Sequence, residues 1–270
     1  MENKYLLTIG SCTRNREEKA VRLIHQLAPF LLTWKNSVNF VIVNDGGSDL
    51  FLGSVIDAFK LQGVNINYIK FEENQGVYVS KTTAMLNANS EWYIHIDDDD
   101  SFDMNILSYI LQCIINIGEP YKIQGPNLIT TVVQYNVSKI LYGPKQEVKL
   151  LDRFRAPVPT RQGKIEMSLM GLLFKISDPR IQEGLKEFVD NWRLYNIPPT
   201  LWSDDVIIPG AITKNIPDNE IKAIDLKLAL MDYYTKDYHI VFDAKSKRKE
   251  SKELREQFWR WISLKGVVNE

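Results

Sequence analysis

The first hundred residues alternate between short apolar segments and longer amphipathic ones, and this alternation restricts the fold more than any other feature of the sequence. The apolar segments predict buried strands and read KYLLTIGS, NFVIVND, NINYIKF and EWYIHI. The segments between them have helical periodicity and cover residues 16–32, 50–63 and 76–90. Continuous apolar strands separated by helices predict an α/β fold, with a mostly parallel sheet covered by helices on both faces.

The rest of the chain continues less regularly. Helices are predicted for MNILSYILQCIINIG and for PRIQEGLKEFVDNWRLYN, whose proline suits a first helical position. EMSLMGLLFKIS predicts one further buried strand, whereas residues 120–162 hold short β-like pieces and proline-bearing loops. The chain closes with the basic run AKSKRKESK and a predicted amphipathic helix, KELREQFWRWISLKG.

Composition excludes several classes of protein. A net charge of −1, with 44% hydrophobic and 25% charged residues, is ordinary for a soluble globular protein and indicates no general affinity for nucleic acid or membranes. The two cysteines, Cys12 and Cys113, have neither metal-site nor disulfide-scaffold spacing. No stretch approaches the roughly 18 apolar residues of a membrane span, and the N-terminus lacks a signal-peptide pattern. We therefore expect a soluble, cytoplasmic protein.

Polar clusters follow three of the predicted strands, at the point where each strand ends. They read SCTRNR, NDGGSD and IDDDDSFD. Open α/β sheets bind ligands beyond the carboxyl ends of their strands, so three clusters at such ends predict a binding site. The run of four aspartates is the most unusual, because adjacent carboxylates repel. Either it is a solvated loop that caps the next helix, or a positive group lies beside it.

These clusters, in this order, resemble the nucleotide-sugar-binding half of a GT-A glycosyltransferase and are similar to the family 2 enzymes. CTRNR corresponds to a Pro-Thr-x-Asn-Arg stretch, with Cys12 in place of proline, and NDGGSD departs once from Asn-Asp-Gly-Ser-x-Asp. NQGVYVSKT keeps Asn74 and Gly76 but has Lys81 where an arginine is usual. DDDD matches Asp-x-Asp-Asp. The resemblance covers residues 5–103 well and continues weakly through the SDD of residues 203–205.

The resemblance implies a GT-A-like domain over residues 1–242 and a separate basic and helical tail over residues 243–270. Within the domain, residues 1–103 would bind a nucleotide sugar, most simply a UDP-sugar, and residues 104–242 would bind the acceptor. The reaction would be an inverting, metal-dependent sugar transfer. The acceptor stays open and includes a glycan, a lipid-linked sugar, a protein or a modified nucleobase in DNA.

The aspartate run would hold the metal and part of the donor. A divalent cation neutralises the pyrophosphate that leaves as the glycosidic bond breaks, and Mg²⁺ or Mn²⁺ binds one or two carboxylates together with phosphate oxygens. The resemblance places Asp97 near the ribose and Asp99 on the metal, with Asp98 between them as a spacer on the donor side. Because neighbouring side chains diverge in an extended segment, we expect a turn to begin here. We expect the cation and the start of the next helix to balance the charge.

Other donor-binding residues follow from the same resemblance. Asp45 would accept a hydrogen bond from the base, and Thr13 and Arg14 would line the base pocket. Gly76 would lie at the donor, and Lys81 would offset phosphate charge, although a solvated helix lysine is a nearly equal alternative. NDGGSD also has a simpler interpretation as a tight turn, because Asn, Asp and Gly favour turns.

The acceptor side is less distinct. In LWSDDVIIPG, Asp205 takes the position of the general base and Asp204 that of the preceding glutamate, while Trp202 would stack on a sugar. The alternative for the two aspartates is helix N-capping. His239 would complete the metal shell, or is a structural histidine. Trp261, within QFWRW, corresponds to a tryptophan at the acceptor end of processive synthases, although we favour an ordinary packing stripe.

The basic run before this helix offers contacts to pyrophosphate, to a membrane surface or to a nucleic acid backbone, and its simplest interpretation is a solvated segment. Two rival functions also remain. Nucleotidyl transfer uses related α/β folds, but it requires a glycine- and lysine-rich loop after the first strand, which GSCTRNREEK is not. A binding module of the same fold without catalysis is the second.

Overall fold

The structure is a computed structural model of the 270-residue chain. It describes residues 5–102, 104–118, 129–132, 156–160, 163–167, 169, 172–194, 204–216, 220–224 and 229–230.

The alternation predicted for the first hundred residues is confirmed. The elements in chain order are β1 (Tyr5–Thr13), α1 (Glu17–Thr33), β2 (Val38–Asn44), α2 (Leu52–Leu61), β3 (Ile66–Lys70), α3 (Val77–Leu86) and β4 (Ser90–His95). Gly63 follows the end of α2 with φ +88°, the left-handed conformation that commonly terminates a helix.

The remaining described elements are shorter or more widely separated. They are β5 (Ser101–Phe102), α4 (Met104–Ile117), β6 (Ile129–Val132), β7 (Ala156–Thr160), β8 (Gly163–Met167), β9 (Leu172–Phe174), α5 (Pro179–Leu194), α6 (Asp204–Thr213), β10 (Ile221–Ile224) and β11 (Ala229–Leu230). Both predicted helices are present, and α5 begins at its proline. The buried strand predicted within EMSLMGLLFKIS is present as β9 but is shorter than the segment, whose first two residues end β8 in a different sheet.

The central sheet has seven strands in the order β10-β6-β9-β4-β1-β2-β3. Its strands are parallel except β9, which runs antiparallel to both of its neighbours, β4 and β6. Strand β1 lies between β2 and β4, so the ends of these three strands are adjacent. The fold is therefore of the predicted α/β class. Strands from before and after residue 103 belong to the same sheet.

Two apolar clusters cover the two faces of this sheet. On one face, Leu7 and Ile94 of the central strands pack in a cluster with residues of α1, α2 and α4. On the other, Tyr93 and Phe174 pack with residues of α3, α5 and α6. Neighbouring strand residues point to opposite faces, so Tyr93 and Ile94 enter different clusters. The predicted coverage of both faces is thus confirmed. Among the described helices, none is long and apolar enough to cross a membrane.

Candidate active site

The three polar clusters meet at the carboxyl ends of β4, β1 and β2, which are neighbours in the sheet. The first contact joins the clusters after β1 and β2, because the backbone N–H of Asp45 donates to the carbonyl of Thr13 at 2.9 Å. Both residues are buried, whereas Arg14 is exposed at the start of the loop. This edge of the sheet is where ligands bind in open α/β folds.

Two glycines allow the loops to approach one another. A Cβ atom on Gly46 would lie 2.4 Å from the backbone of Glu73, and the φ of this glycine is +69°. A Cβ on Gly47 would lie 2.6 Å from the backbone nitrogen of Asn15. Side chains at these positions would force the loops apart. The glycines of NDGGSD therefore do more than form a turn, since they bring the loops after β1, β2 and β3 into contact.

Asp45 holds the loop that precedes α3. Its Oδ1 accepts the backbone N–H of Gln75 at 2.7 Å, and its Oδ2 accepts that of Gly76 at 3.0 Å. Gly76 has φ +91° and ψ 157°, a conformation that residues with a Cβ rarely adopt. Both predicted donor-binding positions, Asp45 and Gly76, are thus joined to each other. A base would have to share the Asp45 carboxylate with these two backbone donors.

The aspartate run leaves β4 in a tight turn, as its spacing predicted. The backbone N–H of Asp100 donates to the carbonyl of Asp97 at 3.1 Å. The turn separates the carboxylates: Asp98 and Asp100 are buried, while the side chains of Asp97 and Asp99 are 32% and 28% exposed. The two aspartates that remain open to a ligand are those of the spaced pair.

Lys81 of α3 is buried and forms an ion pair with Asp97, with Nζ 2.8 Å from Oδ1. The alternative of a solvated helix lysine is therefore wrong. Burial favours the neutral form of Asp97, but Lys81 and His95 outweigh it and hold the pKa of this carboxyl well below its usual range. Asp97 is consequently ionised at neutral pH.

Basic residues of the segment opening α1 face the other carboxylates. The Arg16 guanidinium lies 2.7 Å from Asp98 and donates to Asp99 Oδ2 at 2.9 Å. Lys19 approaches the same Asp99 oxygen at 3.4 Å, and Arg22 donates to the Asp99 carbonyl at 2.8 Å. The expected charge balance, from a cation and a helix start, is thus incomplete, because basic side chains of the protein itself contact all three carboxylates.

Asp98 differs from its neighbours in its ionisation. Burial raises its pKa to about 7, although Arg16 opposes the effect. The ion pair with Arg16 is the charge contact that favours its ionised form. A buried carboxylate that is paired in this way is a site where added positive charge would be favourable.

Sequence reasoning missed several residues of this site. Arg16 lies within the quoted CTRNR stretch, so the motif itself contained the signal. Lys19 and Arg22 follow at helical spacing from Arg16, which places all three on one face of the segment. His95 and Tyr93, below Asp97, carry no motif signal, but their alternation with Asp97 along a strand would have placed them on one side.

The carboxylates are suited to a divalent cation. Hard cations take one or two protein carboxylates, and the partly exposed Asp99 offers one of them. No cluster of three or more possible metal ligands exists in the described ranges. The remaining ligands would come from a bound phosphate, from water or from residues outside these ranges. When bound, the cation would neutralise charge on a leaving phosphate.

The predicted acceptor side is only partly described. Asp204 and Asp205 begin helix α6, which packs against α5 and α3, so their backbone stands in the first helical turn. Their side-chain positions lie outside the described structure. Trp202, His239, Trp261 and the basic run of residues 245–249 also lie outside the described residues, and their roles stay predictions.

Comparisons with known proteins agree with this geometry. Residues 8–134 match the model of the family described as glycosyl transferase family 2. A comparison with curated protein sequences finds no match. The crystal structure of S. aureus TarS 1-349 in complex with UDP-GlcNAc matches with a TM-score of 0.55 and 16% identity, covering 85% of this chain and 59% of that one. The TarS 1-349 complex with UDP gives a TM-score of 0.54 at 17% identity, covering 87% of this chain and 63% of that one.

The mannosyltransferase PcManGT from Pyrobaculum calidifontis, in complex with GDP-Man and Mn²⁺, matches with a TM-score of 0.52 at 13% identity. The match covers 88% of this chain and 61% of that one. The present chain thus spans about three fifths of the length of these solved relatives. Identities this low show the fold alone, and the family match covers residues 8–134, a little under half of the chain. Over residues 8–134 the chain is therefore similar to glycosyl transferase family 2, and its fold is of the GT-A type.

Proposed function

We propose that this protein transfers a sugar from a nucleotide-diphosphate donor to an acceptor hydroxyl, with inversion and with a divalent metal. The observation that carries the proposal is the position of Asp45 at the carboxyl end of β2 and of Asp97 and Asp99 at that of β4, on either side of β1, in a family 2-like domain. The TarS complexes with UDP and UDP-GlcNAc and the PcManGT complex with GDP-Man support a nucleotide-sugar donor of this kind.

The donor would lie across the three loops. Asp45 would bind the base with the lone pairs that its two backbone partners leave free, and Thr13 and Arg14 would complete the base pocket. Asp97, with Lys81 beside it, would contact the ribose, and its lowered pKa supports an ionised hydrogen-bond acceptor there. Gly76 would lie against the donor because it has no side chain to exclude it. A UDP-sugar is the favoured donor.

Asp99 would hold Mn²⁺ or Mg²⁺, with His239 as a further ligand and donor phosphates completing the shell. Arg16 and Lys19 stand at the same carboxylate oxygen. A cation there would take over part of the charge neutralisation that these side chains provide. Asp98, which is buried against Arg16, would stabilise the loop beneath.

Asp205 would remove the proton from the acceptor hydroxyl, with Asp204 beside it and Trp202 stacked on the acceptor sugar. Trp261 and the basic run of residues 245–249 are candidates for acceptor, membrane-surface or nucleic-acid contact. The acceptor class remains the glycan, lipid-linked sugar, protein or nucleobase predicted above. Action in the cytoplasm is consistent with Cys12 and Cys113, which are free thiols.

A panel of nucleotide sugars, tested for thermal stabilisation with Mn²⁺ or with EDTA, tests the donor site. A ligand at about 100 times its Kd should stabilise the fold by about 2.7 kcal/mol, and should raise Tm by about 5 °C. Asp99→Asn should remove the metal-dependent part of this shift. Asp205→Asn should preserve the shift and stop transfer.

The two variants distinguish the assigned roles. Equal loss of donor binding and of transfer in both would contradict the assignment. A full thermal shift in wild type without release of UDP in any assay would favour a binding module over an enzyme. No shift with any nucleotide sugar, with or without Mn²⁺, would contradict the proposed function.

A further inference from the structure

Tyr93, His95 and Asp97 alternate along the end of β4, so the pleat of the strand places them on one side. The Tyr93 hydroxyl lies 3.1 Å from His95 Nδ1, and His95 Nε2 lies 3.5 Å from Asp97 Oδ1. The tyrosine and histidine rings are stacked, with an interplanar angle of 22°. The three side chains form a continuous row that leads from the core to a carboxylate of the candidate active site.

The row is buried at one end and open at the other. Tyr93 and His95 are both fully buried, whereas Asp97 is 32% exposed. Strand β1 leaves room for the tyrosine, since a Cβ on Gly10 would lie 1.7 Å from its hydroxyl oxygen. Gly10 is the register partner of His95. The neighbouring strand therefore has a glycine at the position where a side chain would displace the row.

The positions of Tyr93 and Asp97 favour one neutral form of His95. A neutral imidazole carries its proton on one nitrogen, and the other nitrogen is an acceptor. If Nδ1 carried the proton, the lone pair of Nε2 would face the ionised carboxylate of Asp97, which is unfavourable. If the tyrosine hydroxyl donates to Nδ1, the proton is on Nε2 and points toward the carboxylate. Both contacts are favourable only in the second form.

Lys81 contacts the same carboxylate as His95. Its Nζ lies 2.8 Å from Oδ1 of Asp97, the same oxygen that faces His95. With Oδ1 engaged by two partners, Oδ2 is the oxygen left for a ligand. Lys81 and His95 together therefore fix the orientation of the Asp97 carboxylate and the direction of the lone pairs on Oδ2.

We propose that Tyr93 and His95 are positioning residues for Asp97: Tyr93 selects the Nε2-protonated form of His95, and His95 orients the carboxylate toward the bound nucleotide. This inference rests on the proposed function, because it assigns Asp97 a contact with the donor. It adds residues that no motif of the sequence indicated. Their effect on the ligand passes entirely through Asp97.

The first test measures the affinity of UDP in the presence of Mn²⁺ by titration calorimetry. Tyr93→Phe, which removes one hydroxyl, should weaken binding about 3- to 10-fold, the range expected for one lost hydrogen bond. In an Asp97→Asn background the same change should alter affinity less than about 2-fold, since its route to the ligand is gone. Tyr78→Phe is the matched control, because Tyr78 is equally buried in the same apolar cluster.

The outcomes separate the inference from the proposed function. Equal losses from Tyr93→Phe in both backgrounds, or an unchanged affinity in wild-type background, would overturn the positioning role. Failure of wild type itself to bind UDP with Mn²⁺ would contradict the donor site instead. A second measurement, which needs no ligand, determines which ring nitrogen of His95 carries the proton.

That measurement is the proton position on His95, read from long-range ¹H–¹⁵N correlations of the wild-type protein at pH 7.5. The chain has three histidines, and His95→Gln identifies the signal by its loss. We expect the proton on Nε2 alone. A proton on Nδ1, alone or together with one on Nε2, would overturn the assignment.

Discussion

Replacement of Lys81 by methionine should destabilise the fold even without any ligand. Methionine fills nearly the same volume, so the change removes the charge while it preserves most of the packing. Lys81 is only 5% exposed in its side chain, and its ammonium is 2.8 Å from Asp97 Oδ1. Breaking a fully buried pair costs about 3–5 kcal/mol, because one charge is left uncompensated. Asp97 is 32% exposed, and contact with water lowers the cost of leaving it unpaired. We therefore expect the free energy of unfolding to fall by about 2–4 kcal/mol.

An independent limit gives the same range. If Asp97 loses its partner, it can escape the penalty by binding a proton. An ordinary aspartate has a pKa near 3.9, about 3 pH units below pH 7. Because each pH unit corresponds to about 1.4 kcal/mol, protonating such a carboxyl at pH 7 costs about 4 kcal/mol. The penalty therefore cannot greatly exceed about 4 kcal/mol.

The assay is urea unfolding of wild type and Lys81→Met, repeated at pH 7 and at lower pH. Because the pKa of Asp97 is lowered in the folded state, the pair stabilises the fold above the unfolded pKa near 3.9. This stabilisation is lost as the pH falls through the lower folded value. The difference between wild type and variant should therefore be full at pH 7 and should narrow below about pH 4.

Lys35→Met, in the exposed turn after α1, is the matched control and should change stability by less than about 0.5 kcal/mol. A difference below about 1 kcal/mol for Lys81→Met at pH 7 would refute the reasoning. So would a difference that stays constant with pH, because it would point to packing and not to the charge of Asp97.

Three further perturbations test the local geometry. Asp45→Asn should cost about 2 kcal/mol without ligand, because one of two backbone donors loses its acceptor, whereas the exposed Asp57→Asn should be nearly neutral in the same urea assay. Gly76→Ala should cost about 1–3 kcal/mol because of its φ of +91°, while Gly53→Ala, within α2, should be neutral or stabilising; equal effects would contradict the argument. Burial raises the pKa of Asp98 to about 7, so the folded state keeps a proton that the unfolded chain releases near pH 4. The free energy of unfolding in EDTA should therefore fall as the pH rises between these two values. Asp98→Asn should abolish this contribution to the pH dependence of stability. An identical slope in wild type and Asp98→Asn would show that this carboxyl is ionised throughout.

Much of the fold was predictable because local sequence patterns indicate the strands and helices of its first half. Strands β1 to β4 are mostly apolar segments separated by helices, and this pattern predicted that the strands are parallel. Polar clusters follow three of these strands and predicted the location of the site. Strand β9 was not predictable in the same way. It inserts antiparallel between β4 and β6, and such pairing depends on long-range contacts that no local pattern contains. The break between β8 and β9 has the same origin.

The site shows a similar division. The motifs indicated Asp45, Gly76 and the aspartate run, since chemistry near phosphates demands these residue types. They did not indicate the charge partners. Arg16 contacts Asp98 and Asp99 across more than eighty residues of sequence, and Lys81 had an equally reasonable solvated alternative. Burial and tertiary approach decide such contacts, and both arise only when the sheet has assembled.

The central claim is that the aspartate run serves a metal-dependent transfer from a nucleotide sugar. The most direct test is the release of UDP from a UDP-sugar by the full chain, with Mn²⁺ or with EDTA, in wild type and in Asp99→Asn. We predict release by wild type with Mn²⁺, and loss of release both with EDTA and in the variant. Release that is unchanged by EDTA and by Asp99→Asn would contradict the claim.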